Sequence, residues 1–233
     1  MRKTICVLAV TMGSALAVVP AFATSVTGEA NISGTATVNT TGIYFNATGT
    51  GTETSQNPFF VGAPNTNSFS GLSSGTISNI VGGPMVGSHP ITDFMTFNVS
   101  GVSPVLFDLT GIDAGSGTAA PCAANAIGQA CTPTGSPFTL TQLTANTVEV
   151  GLVLEGIAYT GTSASGSSQA TAIYTTQVVP GTDTSILTAA GTTGFTHSFS
   201  GTVSAAVPEP GSLLLMGVGL FGAGLIARRK VRK

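Results

Sequence analysis

The chain has 233 residues, 42% of them hydrophobic and only 7% charged, with a formal net charge of −2. All seven cationic residues lie at the two ends (Arg2, Lys3, Arg228, Arg229, Lys230, Arg232 and Lys233), so the body between them contains no Lys or Arg. This excludes nucleic-acid binding, lysine phosphate cradles, arginine clamps and lysine Schiff bases from the body, because each needs cations.

The N-terminus reads Met1-Arg2-Lys3, an apolar stretch from Ile5 to Val19, then Pro20-Ala21-Phe22-Ala23. A cationic head, a short apolar middle and an Ala-x-Ala ending predict a secretory signal peptide over residues 1–23. Cleavage is expected after Ala23, with Ala21 and Ala23 as the small residues read by signal peptidase once the Sec machinery has engaged the leader. The apolar stretch falls short of the roughly 20 residues a spanning helix needs.

The body, residues 24–206, carries eight of the nine acids, Glu209 being the ninth: Glu29, Glu53, Asp93, Asp108, Asp113, Glu149, Glu155 and Asp183. With no Lys or Arg to offset them its formal charge is near −8, and burial, hydrogen bonds and two cysteines must hold it together. Hydrophobic residues alternate from the start. Val26, Ala30, Ile32, Ala36 and Val38 share one parity and Thr27, Glu29, Asn31, Ser33 and Thr35 the other, the period of a half-buried strand. Further strands are expected at Gly42–Ala47, Ser68–Leu72, Thr76–Val81, Ile91–Val99, Val105–Ile112, Phe138–Thr144, Thr147–Thr160, Ala170–Val179 and Thr184–Thr188, separated by Gly, Pro, Asn and Ser. Thr147–Thr160 reads as a central strand that continues past a bulge at Gly156. Phe195, Phe199 and Val203 face inward on a last strand whose Thr196, Ser198, Ser200 and Thr202 face out. Many short strands without interleaved helices predict an all-β fold, an antiparallel β-sandwich or jelly-roll-like body.

Cys122 and Cys131 remain in the body. In an oxidising exported compartment they read as a disulfide closing a loop of about ten residues, stabilising by about 2.5–3 kcal/mol. Zinc would need nearby histidines or further cysteines, which are lacking.

Three constellations of side chains could carry chemistry. Glu149 and Glu155 share a strand face but lie roughly 20 Å apart, too far to act together as glycosidase carboxyls. His89 precedes Pro90 in an expected loop, and His197 shares the parity of Phe195 and Phe199, as a packed, hydrogen-bonded core histidine would. Neither lies in a nucleophile-elbow frame. Asp108 and Asp113 bracket an expected turn, DLTGIDAGSG, whose oxygens suit Ca²⁺ but match no known loop spacing. Asn31, Asn39, Asn46 and Asn98 each begin an N-x-S/T triplet. No catalytic residues, no metal ligands and no cofactor are expected.

The chain closes with VPEPGSLLLMGVGLFGAGLIARRKVRK, residues 207–233. Leu213 to Ala227 spans about 22 Å as a helix, and snorkelling arginine stems with local bilayer thinning extend a span over about 212–227. Arg228, Arg229, Lys230, Arg232 and Lys233 form a basic stop-transfer tail over 228–233 that holds the C-terminus in the cytoplasm and the body outside. Pro208, Glu209 and Pro210 make a stiff, extended tripeptide just outside the membrane.

Pro208-Glu209-Pro210, the glycine-rich apolar run and the terminal basic cluster together resemble the PEP-CTERM sorting signal, also called the ice-binding protein C-terminal domain. The resemblance implies a Gram-negative, exopolysaccharide-producing host. Its exosortase, a membrane peptidase, would read Pro208, Glu209 and Pro210 and sort the body from the inner membrane to the cell surface or biofilm matrix. The reading is thus an exported, non-enzymatic surface or extracellular-matrix protein, with exopolysaccharide as a further partner. A Ca²⁺- or glycan-binding, adhesive module is the alternative. Ice binding would need a flat Thr array, whereas the Thr-x-Thr pieces recur without period, and a hydrolase would need acids from separate strands to converge.

Overall fold

A computed structural model describes residues 25–82, 86–98, 103–118, 122, 125–161, 166–176 and 179–206. The chain order is β1 (Gly28–Asn39), β2 (Gly42–Tyr44), β3 (Asn57–Gly62), β4 (Ser74–Ile77), β5 (Ile80–Val81), β6 (Gly87–Asn98), β7 (Val105–Ile112), β8 (Ala130–Cys131) and β9 (Thr139–Thr144). There follow β10 (Thr147–Thr160), β11 (Ser168–Thr176), β12 (Val179–Pro180), a helix α1 (Asp183–Gly191) and β13 (Phe195–Ala206).

All pairings are antiparallel, as expected for an all-β body. The order β11-β13-β1-β3-β4-β6-β7-β10 is closed by a further pairing of β10 with β11, so eight strands form one hydrogen-bonded ring. The body is therefore barrel-like as well as sandwich-like, rather than two sheets with separate edges. β10 makes closure feasible through its length. Its residues 147–151 pair with β9, 151–158 with β11, and 154–160 with β7. The register on β7 slips between Glu155 and Gly156, at the glycine expected to bulge. A Cβ at Gly156 would collide with the Asp108 carbonyl oxygen and the Phe107 ring, so the slip requires glycine.

The ring interior is aromatic. Phe59 and Phe69 each meet Phe97 edge-on with centroids 5.2 Å apart, and Phe45 touches Phe94, Tyr174 and Phe199 at 5.7–5.8 Å. The pairs other than the tilted Phe45–Tyr174 meet edge to face, which adds to plain area burial. A second, smaller core lies beside the ring, built from Cys131, Leu140, Val148, Val150, Val179 and Ile186.

In place of ion pairs, amides and hydroxyls pin the loops. Asn79 is fully buried; its Oδ1 accepts from the Phe45 amide (3.0 Å) and from Asn57 Nδ2 (2.8 Å), while its own Nδ2 donates to the Thr52 carbonyl (3.1 Å). Asn39 and Asn46 use their Oδ1 atoms to accept from the amides of Thr41 and Thr48, two residues on, so these N-x-T triplets build turns.

Several local expectations fail for identifiable reasons. Ser68–Leu72 is not a strand: Asn67–Phe69 is a short 3₁₀ turn that begins at a positive φ of Asn67. Thr184–Thr188 lies in α1, because Thr182 and Ser185 form a reciprocal capping box and Gly194 returns its amide to the Ala189 carbonyl. DLTGID is no turn, since Asp108 to Ile112 belong to β7. His89 sits in β6 rather than in a loop. β3 escapes the sequence reading because of Pro58, which lies at the end where β3 pairs only with β4.

Candidate functional site

Two arrangements of acidic side chains emerge from the register. The first begins with β6, which bulges against β7 between Ile91 and Met95. Asp93 occupies that bulge at φ 52, and its amide donates to Asp108 Oδ1 at 2.7 Å. The buried Tyr159 hydroxyl donates toward Asp108 Oδ1 (2.9 Å) and Asp93 Oδ1 (3.1 Å). Burial, then the bonds and charges of the two carboxylates, push the Tyr159 hydroxyl far above its ordinary pKa. Tyr159 therefore acts as a permanent donor that joins two acids from separate strands. Asp113 is not part of this pair; its amide donates to the Val153 carbonyl.

The second arrangement lies where the small core meets solvent. The predicted disulfide is present, joining Cys122 to Cys131 with Cα atoms 5.3 Å apart. It ties Cys122 to β8, and Cys122 lines a cavity together with Asp183 and Thr184 of α1. Asp183, the first residue of α1, is only 2% exposed. Its amide donates to Gln142 Oε1 (3.3 Å), and its Oδ2 lies 3.6 Å from Cys131 Sγ. Burial raises the Asp183 carboxyl above the usual carboxylate range, offset in part by the neighbouring Asn125 amide. Among the described residues neither Asp183 Oδ1 nor Asn125 Oδ1 has a hydrogen-bond partner. Both residues line a cavity of about 330 Å³ whose rim includes the exposed Ile127. Sequence reading missed this site: only the capping pattern around Thr182 signalled that Asp183 opens a helix.

The remaining candidates disperse. His89 Nε2 lies 3.2 Å from Glu53 Oε1, a contact that becomes an ion pair when the histidine is protonated, so burial, hydrogen bonds and the cysteines are joined by one histidine–carboxylate contact. His197 is half-buried on the apolar parity, but among the described residues its Nδ1 has no hydrogen-bond partner, contrary to expectation. Glu149 and Glu155 are both on β10. An apolar cavity of about 40 Å³ between Phe45, Phe138, Phe195 and Phe199 holds only a few atoms. No group of three or more His, Cys, Asp or Glu side chains poised for a metal occurs among the described residues.

The outer face of β11, β13 and β1 gathers hydroxyls that look scattered in sequence. Thr171, Ser204 and Glu29 stand in one row, Ile173, Thr202 and Asn31 in the next, and Thr175, Ser200 and Ser33 in a third. Thr202 Oγ1 donates to Asn31 Oδ1 across the strands at 3.1 Å.

Pro208, Glu209 and Pro210, the basic tail, the apolar span and the signal residues Ala21 and Ala23 lie outside the described residues. Among the described residues no helix is long and apolar enough to cross a membrane. At the level of sequence, residues 206–233 match the family model of the PEP-CTERM protein-sorting motif. The chain thus carries a PEP-CTERM sorting motif, consistent with an exosortase substrate. No curated protein and no solved structure matches the chain.

Proposed function

We propose that this chain is an exported surface or extracellular-matrix protein of a Gram-negative bacterium. Residues 1–23 direct export, residues 212–227 hold it briefly in the inner membrane, and exosortase reads Pro208, Glu209 and Pro210. The observation that carries this reading is the PEP-CTERM match over residues 206–233. The order of its parts suits a temporary anchor: a stiff tripeptide outside, a short glycine-rich span, then five cations among the last six residues. The body suits passage to an exterior. Its ring leaves few open sheet edges, which limits strand-to-strand aggregation, and its disulfide resists unfolding in an oxidising compartment.

The body is cargo and non-enzymatic on this reading; its polar outer face and cation-free surface suit contact with exopolysaccharide or water. Adhesive binding of a glycan is the second reading, favoured by the hydroxyl rows on β11, β13 and β1. Replacing Glu209 with Ala and following size and fractionation in the native host tests the proposal. The variant should remain in the membrane fraction at unprocessed size while the wild-type body reaches the exterior. A variant that is processed and exported like the wild type overturns it.

A further inference from the structure

We propose that Phe60 is a stacking platform for a neutral polysaccharide, flanked by the hydroxyls of its own row on the outer face of the ring. The proposal rests on the glycan reading given above and names its site and its class of ligand. Phe60 is 73% exposed, and no other large aromatic side chain is exposed among the described residues. Its neighbour Phe59 is buried, so the Phe60 ring points outward from β3. A lone exposed apolar residue needs no explanation. What sets Phe60 apart is its company.

Register puts Phe60 opposite Ser33 on β1 and Ser74 on β4, and the row continues to Ser200 on β13 and Thr175 on β11. Residues directly opposite share a face, and adjacent strands lie about 4.8 Å apart, so hydroxyls flank the ring within reach of a single sugar. Those hydroxyls are uncommitted. Among the described residues no side-chain hydrogen bond involves Ser33, Ser74, Thr175 or Ser200, whereas in the next row Thr202 donates to Asn31 and Asn31 to the Pro64 carbonyl. Along β3 the outward neighbours are Pro58 and Gly62, and a Cβ at Gly62 would meet nothing within 4 Å, so the space beside the ring stays open.

This chemistry selects the ligand. A pyranose with equatorial hydroxyls has a face of C–H groups that packs on an aromatic ring, and a rim of hydroxyls that exchange hydrogen bonds with Ser and Thr. The row and its flanking positions on β13, β1 and β3 hold no charged side chain. The body has eight acids and no Lys or Arg, so it repels an anionic polymer and leaves an uncharged one free to approach. A second copy of this chain would need a contiguous apolar patch, and one phenyl ring among hydroxyls does not supply it. A single ring on an open face binds weakly, but copies held together at a cell surface gain avidity on a repeating polymer.

The test is co-sedimentation of the full chain with insoluble cellulose, curdlan or chitin, in a polyoxyethylene detergent that carries no sugar. Wild type should pellet with at least one of them, and about 0.5 M NaCl should not release it, because no charge pair is involved. Phe60→Ala and Phe60→Leu should each weaken binding about three- to tenfold, while Phe60→Trp keeps it. Leucine retains apolar surface without a ring face, so it separates stacking from general adsorption. Because position 60 is exposed, these variants leave the core intact. Phe60→Leu binding as strongly as the wild type overturns the proposal, as does a Phe60-dependent dimer in place of binding. Pelleting that Phe60→Ala leaves unchanged defeats this site but not the glycan reading. A wild type that pellets with none of the three polymers defeats both.

Discussion

The ring and the lobe beside it are both folded without Lys or Arg, yet they spend their polar groups differently. In the ring, long strands pair along most of their length, seven phenylalanines and Tyr174 fill the centre or its edge, Asn79 makes three hydrogen bonds to neighbouring loops, and the buried atoms without partners among the described residues, Ser168 Oγ and His197 Nδ1, are neutral groups on β11 and β13. In the lobe, two-residue strands, a nine-residue helix and a disulfide enclose six buried side chains, and among the described residues two buried oxygens, one of them a carboxylate's, have no hydrogen-bond partner. The difference teaches that the two cores are closed by different means. A core that can pack aromatics edge to edge has no need of a staple, whereas the lobe needs one and still keeps an open polar cavity.

Substitutions that strike each region separately sharpen this contrast. Phe97→Ala should be the most damaging, because Phe97 is fully buried between Phe59 and Phe69. A loss of about 3–5 kcal/mol is expected, read by denaturant unfolding as a fall in midpoint for the whole body. The double replacement Cys122→Ser with Cys131→Ser should cost about 2–3 kcal/mol. Hydrogen exchange should localise its effect to β8, β9 and α1; uniform loss of protection across the ring would show that lobe and ring are one cooperative unit.

Asp183→Asn should act mainly on pH dependence. Burial keeps the carboxyl protonated to a higher pH in the native state than in the unfolded chain. The native state then binds more protons above the unfolded pKa of about 4, so stability falls as pH rises toward the folded value. The variant's Tm should decline less than the wild type's over that window, and identical slopes would remove Asp183 from the account. His89→Gln should be the mildest change, below about 0.5 kcal/mol, because it removes one partly solvent-exposed pair contact, with the Glu53 side chain 42% exposed. A clear loss of Tm would show that this contact carries structural weight.

The sequence made the strands legible wherever side chains alternate over a long stretch. Val105–Ile112 and Thr147–Thr160 fall where alternation and turn residues put them, and the Gly156 bulge follows from a glycine inside an apolar run. What alternation cannot convey is which strand lies beside which. The ring closure, the Asp93–Asp108 approach and the hydroxyl rows all depend on cross-strand register, so none has a local signature. Helix α1 was obscured because it buries little beyond Asp183 and Ile186, too few residues for an apolar stripe. The cysteine pair was legible because only two cysteines remain in the body, but the cavity beneath it was not, since Asn125, Gln142 and Asp183 are far apart in sequence. The sorting motif was legible through the order of three unlike parts at one end of the chain.

The central claim, that the closing segment is a disposable handle on a folded cargo, is tested most directly by the intact mass of the protein recovered from the exterior of its native host. The account predicts a species that retains the Cys122–Cys131 disulfide and has lost Arg228 to Lys233 together with the apolar span. A species that keeps those last residues and resides in the inner membrane would contradict it.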